Sequence, residues 1–176
     1  MGRKVLAIDL GASSGRAVLG NFNGERLTLS EVYRFTNEPV LLRRTLYWDF
    51  LRLLYEIEKG ISMAVQECCG DLTSFGIDTW GVDFGLLDKK GRLIENPIHY
   101  RDRRTDGMQE KVFQDVIPRA ELYRRTGTQM MNLNTVFQLY SLVVQRPEIL
   151  EYAENLLFMA DLILYFLTGE RTTEYT

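Results

Sequence analysis

The chain opens on three apolar-rich runs, at residues 4–9, 16–22 and 26–35, the last with apolar and polar positions roughly alternating. This is the period-two pattern of strands that bury one face. The turn Asn23-Gly24-Glu25 joins the second run to the third, so a three-stranded antiparallel meander is predicted. The period then changes. Phe50, Leu53, Leu54, Ile57, Ile61, Ala64 and Val65 recur at helical spacing behind Asp49, a sound amino-terminal cap. Residues 73–78 and 82–87 return to strand character on either side of Thr79-Trp80-Gly81, and Asp88-Lys89-Lys90-Gly91 is predicted to close a second hairpin. Beyond Tyr100 the pattern predicts helices over 108–116, 119–125, 135–145 and 162–167, punctuated by Pro118, Gly127, Pro147 and Gly169. The chain has no internal repeat and no low-complexity segment.

Composition narrows the classes. At 176 residues and 45% hydrophobic content the chain can bury one good core, or one domain and part of a second. A net charge of −3, with Lys and Arg scattered among acids, leaves no extended basic face, which argues against nucleic acid and membrane surfaces as partners. The longest apolar run, 156–167, is broken by Asp161 and is shorter than the roughly 18 residues that cross a bilayer, so it reads as core. At the amino terminus, the run 5–8 is cut short by Asp9 and is too brief for a secretory signal. Cys68 and Cys69 are adjacent, a poor geometry for a bridge, and with the lone His99 they supply too few ligands for zinc. They read as helix-end residues in a reducing, cytoplasmic setting.

The candidate chemistry lies between the first two strands, in Asp9-Leu10-Gly11-Ala12-Ser13-Ser14-Gly15-Arg16. Small residues let backbone N–H groups approach an anion, and an acid at a strand end can hold a divalent cation against phosphates. A tight hairpin turn would use the same residues. Neither the P-loop spacing nor the dinucleotide-binding glycine spacing is present, so local pattern leaves both readings open.

Four segments in order carry a resemblance that goes further. They are Asp9 to Arg16; Gly76-Ile77-Asp78-Thr79-Trp80-Gly81-Val82-Asp83-Phe84; Tyr100-Arg101-Asp102-Arg103-Arg104-Thr105; and Arg125-Thr126-Gly127 with Asn134-Thr135 and Gln138-Leu139. Together they resemble the amino-terminal part of the carbohydrate kinases that include glycerol kinase and xylulokinase, most of all the rhamnulokinase branch. The resemblance implies an α/β domain of the ribonuclease H-like, actin-like ATPase class, a mixed sheet with flanking helices, forming one wall of a two-domain kinase cleft. It implies ATP as cofactor, bound at Ala12, Ser13, Ser14, Gly15 and Arg16, with Mg2+ near Asp9. It implies a ketose, L-rhamnulose, phosphorylated at its 1-hydroxyl, with Gly81 and Asp83 as sugar contacts and Asn132 and Asn134 as weaker candidates.

Plainer roles stand beside these. Asp78 and Asp83 read equally as strand-end acids, Trp80 as a core anchor, Arg16 as one half of a surface ion pair, and Arg101 and Arg103 as loop charges. Arg43-Arg44 and Arg124-Arg125 are read as solvated. Two other classes compete: a ribonuclease H-like nuclease with Asp9 and Asp78 as metal ligands, and a non-catalytic binding module. In the family the catalytic base is an aspartate further along the chain, so no catalytic residue is assigned within residues 1–176. The whole stretch reads as one truncated amino-terminal domain, ending at Glu174-Tyr175-Thr176 without the carboxy-terminal domain of the same enzyme, and is expected to be inactive alone.

Overall fold

In the computed structural model, residues 2–174 are described; the outer bounds of the 1–176 domain and the reading of the chain end at Tyr175 and Thr176 lie outside the described residues. In chain order the elements are β1 (Arg3–Leu10), β2 (Ser14–Phe22), β3 (Leu27–Thr36), β4 (Val40–Leu42), β5 (Thr45–Tyr47), α1 (Phe50–Glu67), β6 (Ser74–Asp78), β7 (Phe84–Leu87), α2 (Met108–Asp115), α3 (Arg119–Thr126), α4 (Thr135–Gln145), α5 (Pro147–Tyr152), β8 (Asn155–Phe158) and α6 (Met159–Thr168), with a 3-10 turn at Arg103–Thr105. They divide into two compact units, one of Met1–Pro39, Asp49–Gly81 and Met159–Thr176, the other of Val40–Trp48 and Val82–Phe158.

The first unit is built on a four-stranded sheet in the order β3-β2-β1-β6. β1, β2 and β3 form the predicted antiparallel meander, and β6 pairs parallel to β1, which makes the sheet mixed. Alternation decides which face is buried: Leu6, Ile8 and Leu10 turn inward, while Ala7 between them is exposed. Helix α1 covers that side with Phe50, Leu53, Ile57, Gly60 and Ala64, spaced three and four apart. Asp49 caps it, accepting from Arg52 N at 3.2 Å. Gly60 sits so close to the sheet that a Cβ there would lie 3.1 Å from Ala17 Cβ. Glu56, buried on the same face, accepts from Tyr33 Oη and pairs with Arg52. Cys68 caps the carboxy end of α1, and Cys69 follows with a left-handed φ of 54°. Helix α6 contributes Met159, Leu162 and Ile163 to the core, and Phe166 meets Phe50 edge-on with ring centroids 5.5 Å apart.

The second unit departs from expectation in its strand pairing. β7 pairs antiparallel with β8, some seventy residues later, a pairing the sequence does not signal. The turn at Asp88 does close as expected, with Asp88 N donating to Arg92 O and Ile94 N to Leu86 O, both at 2.9 Å, around a bridge between Leu87 and Leu93. The apolar run 156–167 is core as expected, with Leu157, Met159, Leu162 and Ile163 buried, but it divides into the end of β8 and most of α6, where the sequence signalled a helix only over 162–167. Two further elements lack a sequence signal strong enough to read: the short hairpin β4–β5, turning on Arg43-Arg44, and the six-residue α5 behind Pro147. The helices pack through two clusters, one around Phe84, Leu86, Leu142 and Ile149, the other around Met108, Val112, Leu122 and Phe137. Among the described residues no helix is long and apolar enough to cross a membrane.

Candidate active site

Within the first unit, β1 and β6 run parallel and end together, so Asp9 and Asp78 are register partners at their carboxyl ends. In open α/β sheets, ligands collect at that edge. The turn from β1 to β2 is closed by Gly11 N donating to Ser14 O at 2.8 Å. A residue without a sequence signal holds it from outside. Asn37, buried just past β3, donates from Nδ2 to Gly11 O at 2.8 Å and from its backbone N to Ser13 O at 3.0 Å.

The turn's residues divide by what they touch. Ser13 is exposed, and Ala12 and Ser14 are half-buried. Gly15 is buried across from Phe35, and a Cβ there would lie 2.2 Å from Phe35 Cζ, so the sheet itself demands a glycine. Arg16 lies opposite Asp9 in the β1–β2 register, and its Nε and Nη2 both reach Asp9 Oδ2 at 2.7 Å. Thus the cation and the acid that the sequence reading assigned to phosphate and metal form an ion pair, half-exposed on both sides. The pair occupies one oxygen of Asp9. Among the described residues, no group of three or more His, Cys, Asp or Glu is placed to hold a metal. A carboxylate at a strand end still suits magnesium, which is commonly held by one or two protein carboxylates, water and substrate phosphates.

In the second unit, Asp83 is fully buried immediately before β7. Its Oδ2 accepts from Trp48 Nε1 at 2.6 Å and from Tyr100 N at 3.0 Å, and its Oδ1 accepts from Gln138 Nε2 at 2.9 Å. Burial pushes its carboxyl above the ordinary range, while the three donors pull the other way. Gln138, on the buried stripe of α4, also donates to Leu133 O at 2.7 Å and reaches Val82 O at 3.3 Å; its Oε1 accepts from Arg104. Thr135 Oγ1 donates to the same Val82 carbonyl at 2.8 Å. The Arg104 guanidinium is lowered from its usual value by burial, opposed by Asp102, Asp83 and Glu95. His99 stacks on Trp48 with centroids 4.0 Å apart, and its Nδ1 accepts from Arg101 N. Burial, then the nearby Arg101 charge, lower its pKa to about 4 against the pull of Asp102.

The remaining candidates fall out plainly. Gly81 is exposed, with nothing within 4 Å of where a Cβ would stand. Asn132 accepts from Gln109 Nε2, and Asn134 Oδ1 accepts from Met131 N, a local turn bond. Arg101 lies over the Tyr100 ring and Arg103 pairs with Asp106, both exposed, whereas Arg104 between them and α4 is the structural one. Arg43 and Arg44 are exposed in the hairpin turn, and Arg124 and Arg125 pair with Glu121. Trp48, Arg104 and the network role of Gln138 escape sequence reasoning. The only trace of the last is a polar pair, Gln138 and Ser141, at helical spacing in an otherwise apolar stripe.

Comparison with known proteins bears on both units. Residues 4–176 match the sequence profile of the FGGY family of carbohydrate kinases, N-terminal domain. A rhamnulokinase of Bacteroides thetaiotaomicron is 44% identical over 177 residues, covering all of this chain and 36% of that protein. One from Oceanobacillus iheyensis is 42% identical over 97% of the chain and again 36% of its own length. The chain thus spans about a third of the length of these curated relatives. Among solved structures, gluconate kinase from Lactobacillus acidophilus superposes with a TM-score of 0.83 at 16% identity, over 97% of this chain and 34% of that one. Glycerol kinase from Plasmodium falciparum gives 0.72 at 16% identity, over 96% and 35%. These likenesses give the fold, the actin-like ATPase class with its mixed sheet and flanking helices, and the profile match gives the kinship: the chain belongs to the FGGY family of carbohydrate kinases, as its N-terminal domain.

Proposed function

We propose that this domain supplies the phosphate turn and one side of the sugar site of an ATP-dependent ketose kinase that transfers the γ-phosphoryl group to the 1-hydroxyl of L-rhamnulose. The observation that carries the substrate class is the 44% identity to a rhamnulokinase across the whole of this chain. In this reading Ala12, Ser13, Ser14 and Gly15 present backbone N–H groups to the nucleotide phosphates, and Arg16 leaves or shares Asp9 to stabilise charge on the transferring group. Asp9 would hold magnesium directly or through water, and the ion would supply charge neutralisation at the phosphates. Gly81 leaves room for the ketose. Asp83, its oxygens already taking three donors, acts at the sugar through the segment it anchors or through an oxygen that takes a further bond. The proton of the sugar hydroxyl is taken by a base that residues 1–176 do not provide, and the second wall of the cleft comes from a further domain. The setting is the cytoplasm.

The test is ADP release by the full-length polypeptide with ATP and magnesium, offered L-rhamnulose, L-fuculose, D-xylulose and glycerol. Preferred turnover of L-rhamnulose is expected; preference for another ketose would replace the substrate, and turnover of none would overturn the kinase reading. Gly81→Ala sharpens it. The fold has space for the new methyl, so the melting temperature should hold while the ketose KM rises about tenfold or more.

A further inference from the structure

Gln138 lies between two stretches of chain that are far apart in sequence, and its amide is oriented without ambiguity. Arg104 donates to Oε1, which leaves Nε2 facing three acceptors: Leu133 O, Asp83 Oδ1 and, at longer range, Val82 O. Only a neutral amide fits this setting, with a cation on one side and a carboxylate and carbonyls on the other. Leucine would leave buried Asp83 and Arg104 each short of a partner. Leu133 stands between Asn132 and Asn134, and Val82 follows Gly81 directly.

We propose that Gln138 is a positioning residue for the sugar: gripped by Arg104, it ties the 131–134 loop to the Val82-Asp83 segment and so fixes the stretch beside Gly81 that would meet the ketose. This rests on the ketose-kinase reading for its substrate, but the tie itself does not. Gln138 touches no reacting atom; it acts through the two backbone stretches it joins. Because the stretches it joins belong to the second unit and the turn proposed to hold phosphate to the first, its loss is expressed on the ketose and not on ATP.

The experiment compares full-length wild type with Gln138→Leu and Gln138→Glu by hydrogen–deuterium exchange and steady-state kinetics. In Gln138→Leu, peptides over 79–84 and 131–135 should exchange about tenfold faster while those over 3–22 hold. The ketose KM should rise about tenfold or more with the ATP KM within twofold. In Gln138→Glu, the new carboxyl is forced to share a proton with Asp83, so its ketose KM should fall as pH is lowered, a trend that Gln138→Leu lacks. Unchanged exchange in both peptides would overturn the proposal, whether or not the wild type is active. Equal losses for ketose and ATP, or faster exchange throughout, would overturn it as well, by showing a general structural role. Faster exchange confined to the two peptides, in a wild type that phosphorylates no ketose, would support the tie and overturn its assignment to a sugar.

Discussion

His99 carries the acid sensitivity of the second unit. An unfolded histidine titrates near 6.5, whereas this one is held to about 4 by burial and by the Arg101 charge. Between those values the unfolded chain binds a proton that the folded chain refuses, so stability is lost as pH falls from about 6.5 toward 4, by up to about 3 kcal/mol. Asp83 and Asp161 act with the opposite sign. Burial raises both carboxyls above the ordinary range, so what they contribute is fullest below the unfolded carboxylate value and is lost as pH rises through their folded values. Urea unfolding at pH 7, 6, 5 and 4 should therefore show a steep early fall, and His99→Phe, which keeps the stack on Trp48, should flatten it. At the turn between β1 and β2, Asn37→Ala removes the bond to Gly11 O and should cost about 1 kcal/mol by urea unfolding. Under the proposed phosphate role of this turn, the same change in the full-length polypeptide should raise the ATP KM without moving that of the ketose. The turn was legible in the sequence because an acid and small residues are adjacent there. Asn37 was not, since a polar residue after a strand looks the same whether it faces water or closes a loop twenty-six residues away.

Among the elements, those with long, unbroken periodicity could be read to within a residue or two: β1 to β3, α1 and α4, the last at its full bounds. What escaped was decided by distant partners. β7 finds β8 across the intervening helices, and no local pattern distinguishes that pairing from a hairpin. Two predictions belong here. Gly15→Ala drives a methyl into the Phe35 ring and should destabilise the chain by about 1–3 kcal/mol; adding Phe35→Leu should recover part of that loss. In the β4–β5 hairpin, Arg43 holds a left-handed φ of 56°, where glycine is at ease. Arg43→Gly should leave thermal stability unchanged or raise it slightly; a clear fall would mean that the arginine side chain makes a contact worth more than the relief of strain.

Over the whole chain, the two compact units are interleaved in sequence, with crossings after Pro39, Trp48, Gly81 and Phe158. No single cut separates them. Trp48 lies in one unit and Trp80 in the other, so fluorescence of Trp48→Phe and Trp80→Phe reports each in turn. Urea transitions that coincide with each other and with circular dichroism are expected of one cooperative chain; separated midpoints would show units that melt independently.

That interleaving also sets a schedule for biosynthesis. The meander and α1 leave the ribosome early, but the helix that completes their core, α6, follows β6 by some eighty residues. At 5–20 residues per second this is a wait of roughly 4–16 s, during which Phe50 lacks the ring of Phe166 that meets it in the finished fold. A nascent chain paused in that interval offers an uncovered apolar face to chaperones, and the sequence after β6 is where slow translation would be most costly.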